Sequence, residues 1–195
     1  MIGTSAVALI TVLLVNSASA QNADKFKETF SARAIAMGNV AFGASTTVHI
    51  TINRWTTDEE RRHLIETLVE KESEDLLKAL QKQKETGFMR ITDSGAGRTR
   101  YPSVRLHYAR EFRGEGKRVI RLATDRPIGF WEAVQNPRSM DYTFTLIELS
   151  VDEKTEEGDG TLAVGVEIKL DKEKKLVLEH AGTKPARLTH VKKRK

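Results

Sequence analysis

The chain has no cysteine. That excludes disulfide scaffolds, thiolate zinc sites, iron–sulfur ligation and thiol nucleophiles. It also has no apolar run long enough to span a bilayer as a helix, which takes roughly 20 residues. The longest such stretch, Val7 to Val15, is far shorter and is broken by Thr11. No solenoid-length repeat is present. The five histidines, His49, His63, His107, His180 and His190, share no H-x-x-x-H or H-x-H spacing, so no metal site is expected. There is no G-x-S-x-G elbow and no G-x-G-x-x-G loop. Neither a Ser hydrolase nor a dinucleotide enzyme is indicated, and no cofactor is implied.

What is present begins with an export signal. Ala18-Ser19-Ala20 follows the apolar run, and polarity rises at Gln21. Residues 1–20 read as a signal peptide, although Met1 to Ser5 carry no Lys or Arg. The expected mature part, 21–195, is a single β-rich domain, periplasmic or secreted. After cleavage it is not expected to be an integral membrane protein. With 39% hydrophobic residues overall, it can bury a real core.

Thr29 to Met37 and Thr47 to Trp55 read as strands; in the second, Val48, Ile50 and Ile52 alternate with His49, Thr51 and Asn53. The period then changes. Thr57-Asp58-Glu59-Glu60 is a capping-box pattern. Leu64, Ile65, Leu68 and Val69 form a helical stripe, and Leu76, Leu77 and Leu80 continue it beyond Ser73. This predicts one bent helix or two short ones over about 57–84, lying on a sheet. From Phe88 onward the text is β: 88–92, 104–112, 117–124, 142–151, 162–170, 176–179 and 186–191. Short connections dominate, with Glu153 to Gly160 read as an acidic turn. The fold class is therefore α+β, mainly antiparallel, as a barrel-like or sandwich domain with one helical insertion. Sequential connections favour the barrel. Leu162, Val164, Val166, Ile168 and Leu170 are expected on one face.

The net charge of +5 is unevenly spread. Residues 90–138 hold 11 basic and 5 acidic side chains, and ten of the eleven cations are Arg. Residues 56–89 are acidic, with 6 basic against 9. Arginine forks bind carboxylate or phosphate bidentately. In the strand 104–112, strict alternation puts Arg110 on the apolar face with Val104, Leu106, Tyr108 and Phe112. A buried Arg needs a partner or a wet cavity. Arg110 is thus the leading ligand-contact candidate, with Tyr108 and His107 beside it. The connection Asp125-Arg126-Pro127-Ile128-Gly129-Phe130-Trp131-Glu132 concentrates Pro, Gly and aromatics, and adds Arg126 and Trp131. The terminal run Lys192-Lys193-Arg194-Lys195 reads as a solvated, frayed end. No nucleic-acid motif is visible.

Three stretches carry a resemblance: Ile52-Asn53-Arg54-Trp55-Thr56-Thr57-Asp58-Glu59-Glu60, then Thr124 to Ala133, then Asp141-Tyr142-x-Phe144-Thr145-x-Ile147-Glu148-Leu149. With the closing Gly182-Thr183-x-Pro185-x-x-Leu188-x-x-Val191, the chain resembles a group of uncharacterised exported bacterial proteins. The resemblance implies export and one β-rich domain, and brings no activity, cofactor or site residue. The expected function is a binding module for a small anionic or amphipathic ligand rather than an enzyme. The alternatives are a hydrolase using carboxylates among Asp125, Glu132 and Asp141, or an envelope structural or interaction domain.

Overall fold

A computed structural model of the chain describes residues 27–37, 43–71, 73–92, 103–126, 144–170, 176–180 and 184–194. The elements in chain order are β1 (Glu28–Ile35), β2 (Ser45–Ile52), α1 (Asp58–Glu70), α2 (Ser73–Lys82), β3 (Gly87–Thr92), β4 (Val104–Leu106), β5 (Tyr108–Gly114), β6 (Lys117–Thr124), β7 (Phe144–Asp152), β8 (Glu157–Leu170), β9 (Leu176–His180) and β10 (Ala186–Arg194). All strand pairs are antiparallel, in the order β4-β3-β2-β1-β10-β8-β7-β6-β5, with β9 paired to β8. The two ends of that order, β4 and β5, are separated in the chain by His107 alone. The sheet therefore curls back on itself as a nearly closed barrel, zipped by β1 against β10. Thr56 fills the seam: its N–H donates to Ala109 O (2.8 Å), and its Oγ1 accepts from Ala109 N–H (2.9 Å). The expected α+β barrel-like architecture is what the strands form.

The bore is filled by side chains. Phe30, Ile50, Ile52, Met89, Leu106, Ile120, Leu122, Ile147, Leu149 and Leu162 are each less than 2% exposed and belong to one contiguous cluster. Burying each such side chain contributes roughly 1.5–3 kcal/mol. Trp55 packs against this cluster from the β2–α1 connection.

The insertion is two helices, lying on the outside of the barrel. Leu64, Leu76, Ala79 and Leu80 pack with Ala123, Phe144 and Val166, and Leu68 and Leu77 join them. Tyr108, Ala123, Leu146 and Ala163 form one cross-strand row of that outer face. The capping box is formed as the spacing predicts: Glu60 N–H donates to Thr57 Oγ1 (3.2 Å), and Thr57 N–H donates to Glu60 Oε2 (2.8 Å). Arg54 grips the same carboxylate (2.8 and 2.9 Å) and also donates to Lys84 O (2.8 Å), which ties the entry of the insertion to its exit. Thr57→Ala should cost about 1 kcal/mol, read by urea unfolding. A change below a few tenths would mean that Arg54 holds the helix start without the cap.

Three bulges set which residues face the bore. His107 N–H donates to Ala123 O (3.0 Å), while Tyr108 is also registered opposite Ala123. Two residues thus oppose one, and the side-chain phase shifts. A second shift lies at Gly165, which has φ +65°, between the pairs Phe144↔Val166 and Thr145↔Val164. A third lies on β10 at His190, φ +52°, between Leu188 and Val191. Two expectations are corrected by these. Leu162 and Val164 face the bore, but Val166 and Ile168 face outward, where the helices cover them. Beyond His107, Ala109 faces the bore while Tyr108 and Arg110 face out. The expected acidic turn is also shorter: β8 already begins at Glu157.

Candidate anion-binding face

The wall formed by β10, β1, β2, β3 and β4 has an outer surface built from interleaved cations and hydroxyls. Registered pairs define its rows. One row is Lys192–Ser31–His49–Arg90. Beside it run Thr189–Arg33–Thr47–Thr92 and Arg194–Thr29–Thr51–Phe88–Arg105. Arg187 opposes Ile35 at the next step. Alternation explains the composition. The even positions of β1 and β2 fill the bore with Phe30, Ala32, Ala34, Val48 and Ile50, so the odd positions face outward, where all but the buried Thr51 are at least partly exposed.

Arg33, Arg90, Arg105, Arg187, Lys192 and Arg194 are all exposed. Glu28 is the single carboxylate on these five strands, and it points into the bore. Among the described residues, carboxylates pair with the wall only from its margins: Glu85 with Arg105 (2.8 Å) and Glu157 with Lys192 (2.7 Å). Arg33 donates to Ser45 Oγ (2.8 and 3.1 Å), and the Arg90 guanidinium lies over the Phe88 ring at 4.7 Å. Among the described residues, Arg90, Arg187 and Arg194 have no carboxylate within ion-pair distance. His49 is held below the ordinary histidine pKa, first by partial burial and then by Arg194. At neutral pH it is a neutral ring among cations.

The barrel separates the residues that alternation groups together. Arg110 is not on the apolar face. The bulge at His107 turns it outward, where it donates to Asp58 Oδ1 (2.5 Å) and Thr56 O (3.3 Å) at the start of α1. It is a clamp on the helix. Tyr108 lies in the layer between barrel and helices. His107 is buried. Its Nδ1 lies 3.3 Å from Gln83 O, and its Nε2 is 3.7 Å from Asp125 Oδ1. Arg126 is half-exposed, with Nε 3.9 Å from the same Asp125 oxygen. His107, Asp125 and Arg126 therefore meet, while Arg110 and Tyr108 serve the helical layer. Trp131 lies outside the described residues, as do Glu132, Asp141 and residues 1–26. The terminal cations are not frayed: Lys192, Lys193 and Arg194 are registered against β1.

The other concentration of charge closes the bore. Arg118 Nη2 bonds Glu28 Oε2 (2.8 Å) and Glu111 Oε2 (2.6 Å). β1 and β6 are not neighbours in the sheet, so the first of these bonds crosses the barrel. Arg113 also donates to Glu111, and Lys193 bridges Glu28 and Glu156, 3.0 Å from each. Among the described residues this network is balanced, with three cations against three carboxylates. It is suited to sealing the barrel rather than to capturing an ion. No group of three or more potential metal ligands occurs among the described residues, and no described helix is long and apolar enough to cross a membrane. Compared with family models, with curated proteins and with solved structures, the chain matches none.

Proposed function

We propose that this protein is a binding module for an anionic partner, engaged through the outer wall of β10, β1, β2, β3 and β4. One observation carries the reading: every ionised side chain on the outer face of those five strands is a cation. A solvated sheet normally mixes signs, because like charges set side by side destabilise it. The opposite half of the barrel does mix them, with Arg121 bonded to Glu148 at 2.8 Å. An accumulated single sign creates a field that draws an oppositely charged partner. The filled bore does not favour an internal amphipathic ligand, so the reading narrows to the anionic one. Export places such a module in the periplasm or outside the cell, as the first 20 residues suggest.

The test is retention on an immobilised polyanion across a salt gradient. Arg90→Glu with Arg194→Glu should weaken binding about tenfold or more, since each exposed ion pair is worth up to about 1 kcal/mol. The loss should be largest at low salt. Lys78→Glu on the exposed surface of α2 changes net charge by the same amount per site and should have little effect. Equal losses from both surfaces would reduce the interaction to net charge and remove the reading.

A further inference from the structure

We infer that the anionic partner is an acidic polysaccharide, laid across the strands on the row Lys192–Ser31–His49–Arg90, and that His49 makes its capture stronger in acid. The inference rests on the reading above and names the ligand class for the same wall.

The row supplies two kinds of contact. Lys192 and Arg90 stand at its ends, three strand intervals apart, or roughly 14 Å at the usual spacing. Guanidinium forks take carboxylate or sulfate groups bidentately. Between and beside them lie Ser31, Thr47 and Thr189, all partly exposed. Each hydroxyl both donates and accepts, which matches sugar hydroxyls as well as charge. An extended chain bearing hydroxyls and repeated anions can satisfy such a wall, whereas a small anion would use one or two of its cations.

Other polyanions fit less well. A bilayer-docking face inserts apolar side chains. The exposed large hydrophobic residues among those described are Met37, Ile65, Val69, Phe112 and Leu178, and none of them lies in the rows. Single-stranded nucleic acid needs aromatic platforms for stacking. Besides the partly buried His49, the rows hold one aromatic side chain, Phe88, and Arg90 already lies over it. Duplex DNA is read by an element that enters a groove, and the rows form a wall.

His49 gives the wall its pH response. Its registered neighbours are Ser31 on β1 and Arg90 on β3. The charged groups around it are Arg90 on β3, Arg33 on β1, and Lys192 and Arg194 on β10. All are cations; partial burial first, and then the charge of Arg194, oppose its protonation. A bound polyanion reverses that local field. Binding therefore takes up a proton at His49, and by linkage affinity rises as pH falls.

Dextran sulfate is a suitable probe because its sulfate esters stay ionised throughout the histidine range. Its affinity for the purified protein should rise about fivefold between pH 8 and pH 5.5, one added ion-pair contact. His49→Asn should flatten that profile while leaving affinity at pH 8 within about twofold, since the neutral ring contributes no charge there. Uncharged dextran should not bind. Duplex DNA or phosphatidylglycerol vesicles binding as tightly as dextran sulfate at matched charge would overturn the ligand class. A pH response that survives His49→Asn, or that His190→Asn removes instead, would overturn the role of His49. Both of those results leave the docking reading standing. Failure of every polyanion to bind would remove both.

Discussion

Arg118→Met should cost about 3 kcal/mol or more in urea unfolding at neutral pH, because it strands two carboxylates at the closed end of the bore. Removing one partner of a buried pair typically costs roughly 3–5 kcal/mol. Glu28 would retain Lys193 and Glu111 would retain Arg113, which places the expected value toward the lower end. The comparison that isolates the cause is the triple variant Glu28→Gln, Arg118→Met, Glu111→Leu. It should be more stable than Arg118→Met alone, since it removes the two carboxylates that the loss of Arg118 would strand. A single-variant loss under about 1 kcal/mol would show that the network is solvated and nearly inert.

The same network has a pH signature. Burial disfavours ionised Glu111, but hydrogen bonds from Arg118 and then Arg113 outweigh it and hold the carboxyl below its ordinary range. The folded pKa is thus lower than the unfolded one. The stabilisation is fully present above the unfolded value, about 4.3, and is lost as pH falls through the folded value. Glu60 adds in the same direction: burial opposes its ionisation, and Arg54 and Thr57 overcome that. Between pH 7 and pH 3 the wild-type protein should therefore lose more stability than the triple variant does. Parallel pH profiles would contradict the coupling.

Much of the fold is legible in the chain because each local signal agrees with its neighbours. The capping box at Thr57, the helical stripe from Leu64 to Leu80 and the short links after β5 all point to a helical insertion on an antiparallel meander. The faces are harder to read. Alternation assumes a period of two, and one extra residue at His107 reverses everything after it. That reversal turns Arg110 from a buried candidate into a surface clamp on Asp58, and it sends Glu111 into the bore to meet Arg118. Gly165 does the same on β8. The basic wall was hidden for a different reason. Its cations lie between Arg33 and Arg194, and only the pairing of β1 with β10 gathers them. Block sums put the excess at 90–138, yet Arg118 from that block is inside the barrel, and Arg110, Arg113 and Arg121 are paired with carboxylates. A readable signal did exist: residues 29–35, 45–52, 87–92, 104–106 and 186–194 contain no acidic residue.

Gly158→Ala should be nearly as costly as breaking the ionic seal. On sequence, Gly158 belonged to a turn; in the fold it is the second residue of β8, paired with Val151 on β7 and Val191 on β10. A Cβ there would stand 1.9 Å from Ser150 O and 2.9 Å from Ser150 C. Those are backbone atoms, so no rotamer change relieves the clash. Glycine inside a strand marks a tight bend or a close approach of another backbone, and here it lets β8 coil against β7 beside the bulge on β10. Overpacking costs roughly 1–3 kcal/mol where side chains can yield, and a backbone collision should reach the top of that range. Gly114→Ala is the control. Its added Cβ meets nothing within 4 Å, so its effect should stay within about 0.5 kcal/mol, as for open surface positions. The contrast separates steric demand at the barrel corner from the general effect of replacing a strand glycine. If both variants unfold at the same urea concentration, β8 can move away from β7, and the barrel is looser at this end than its register implies.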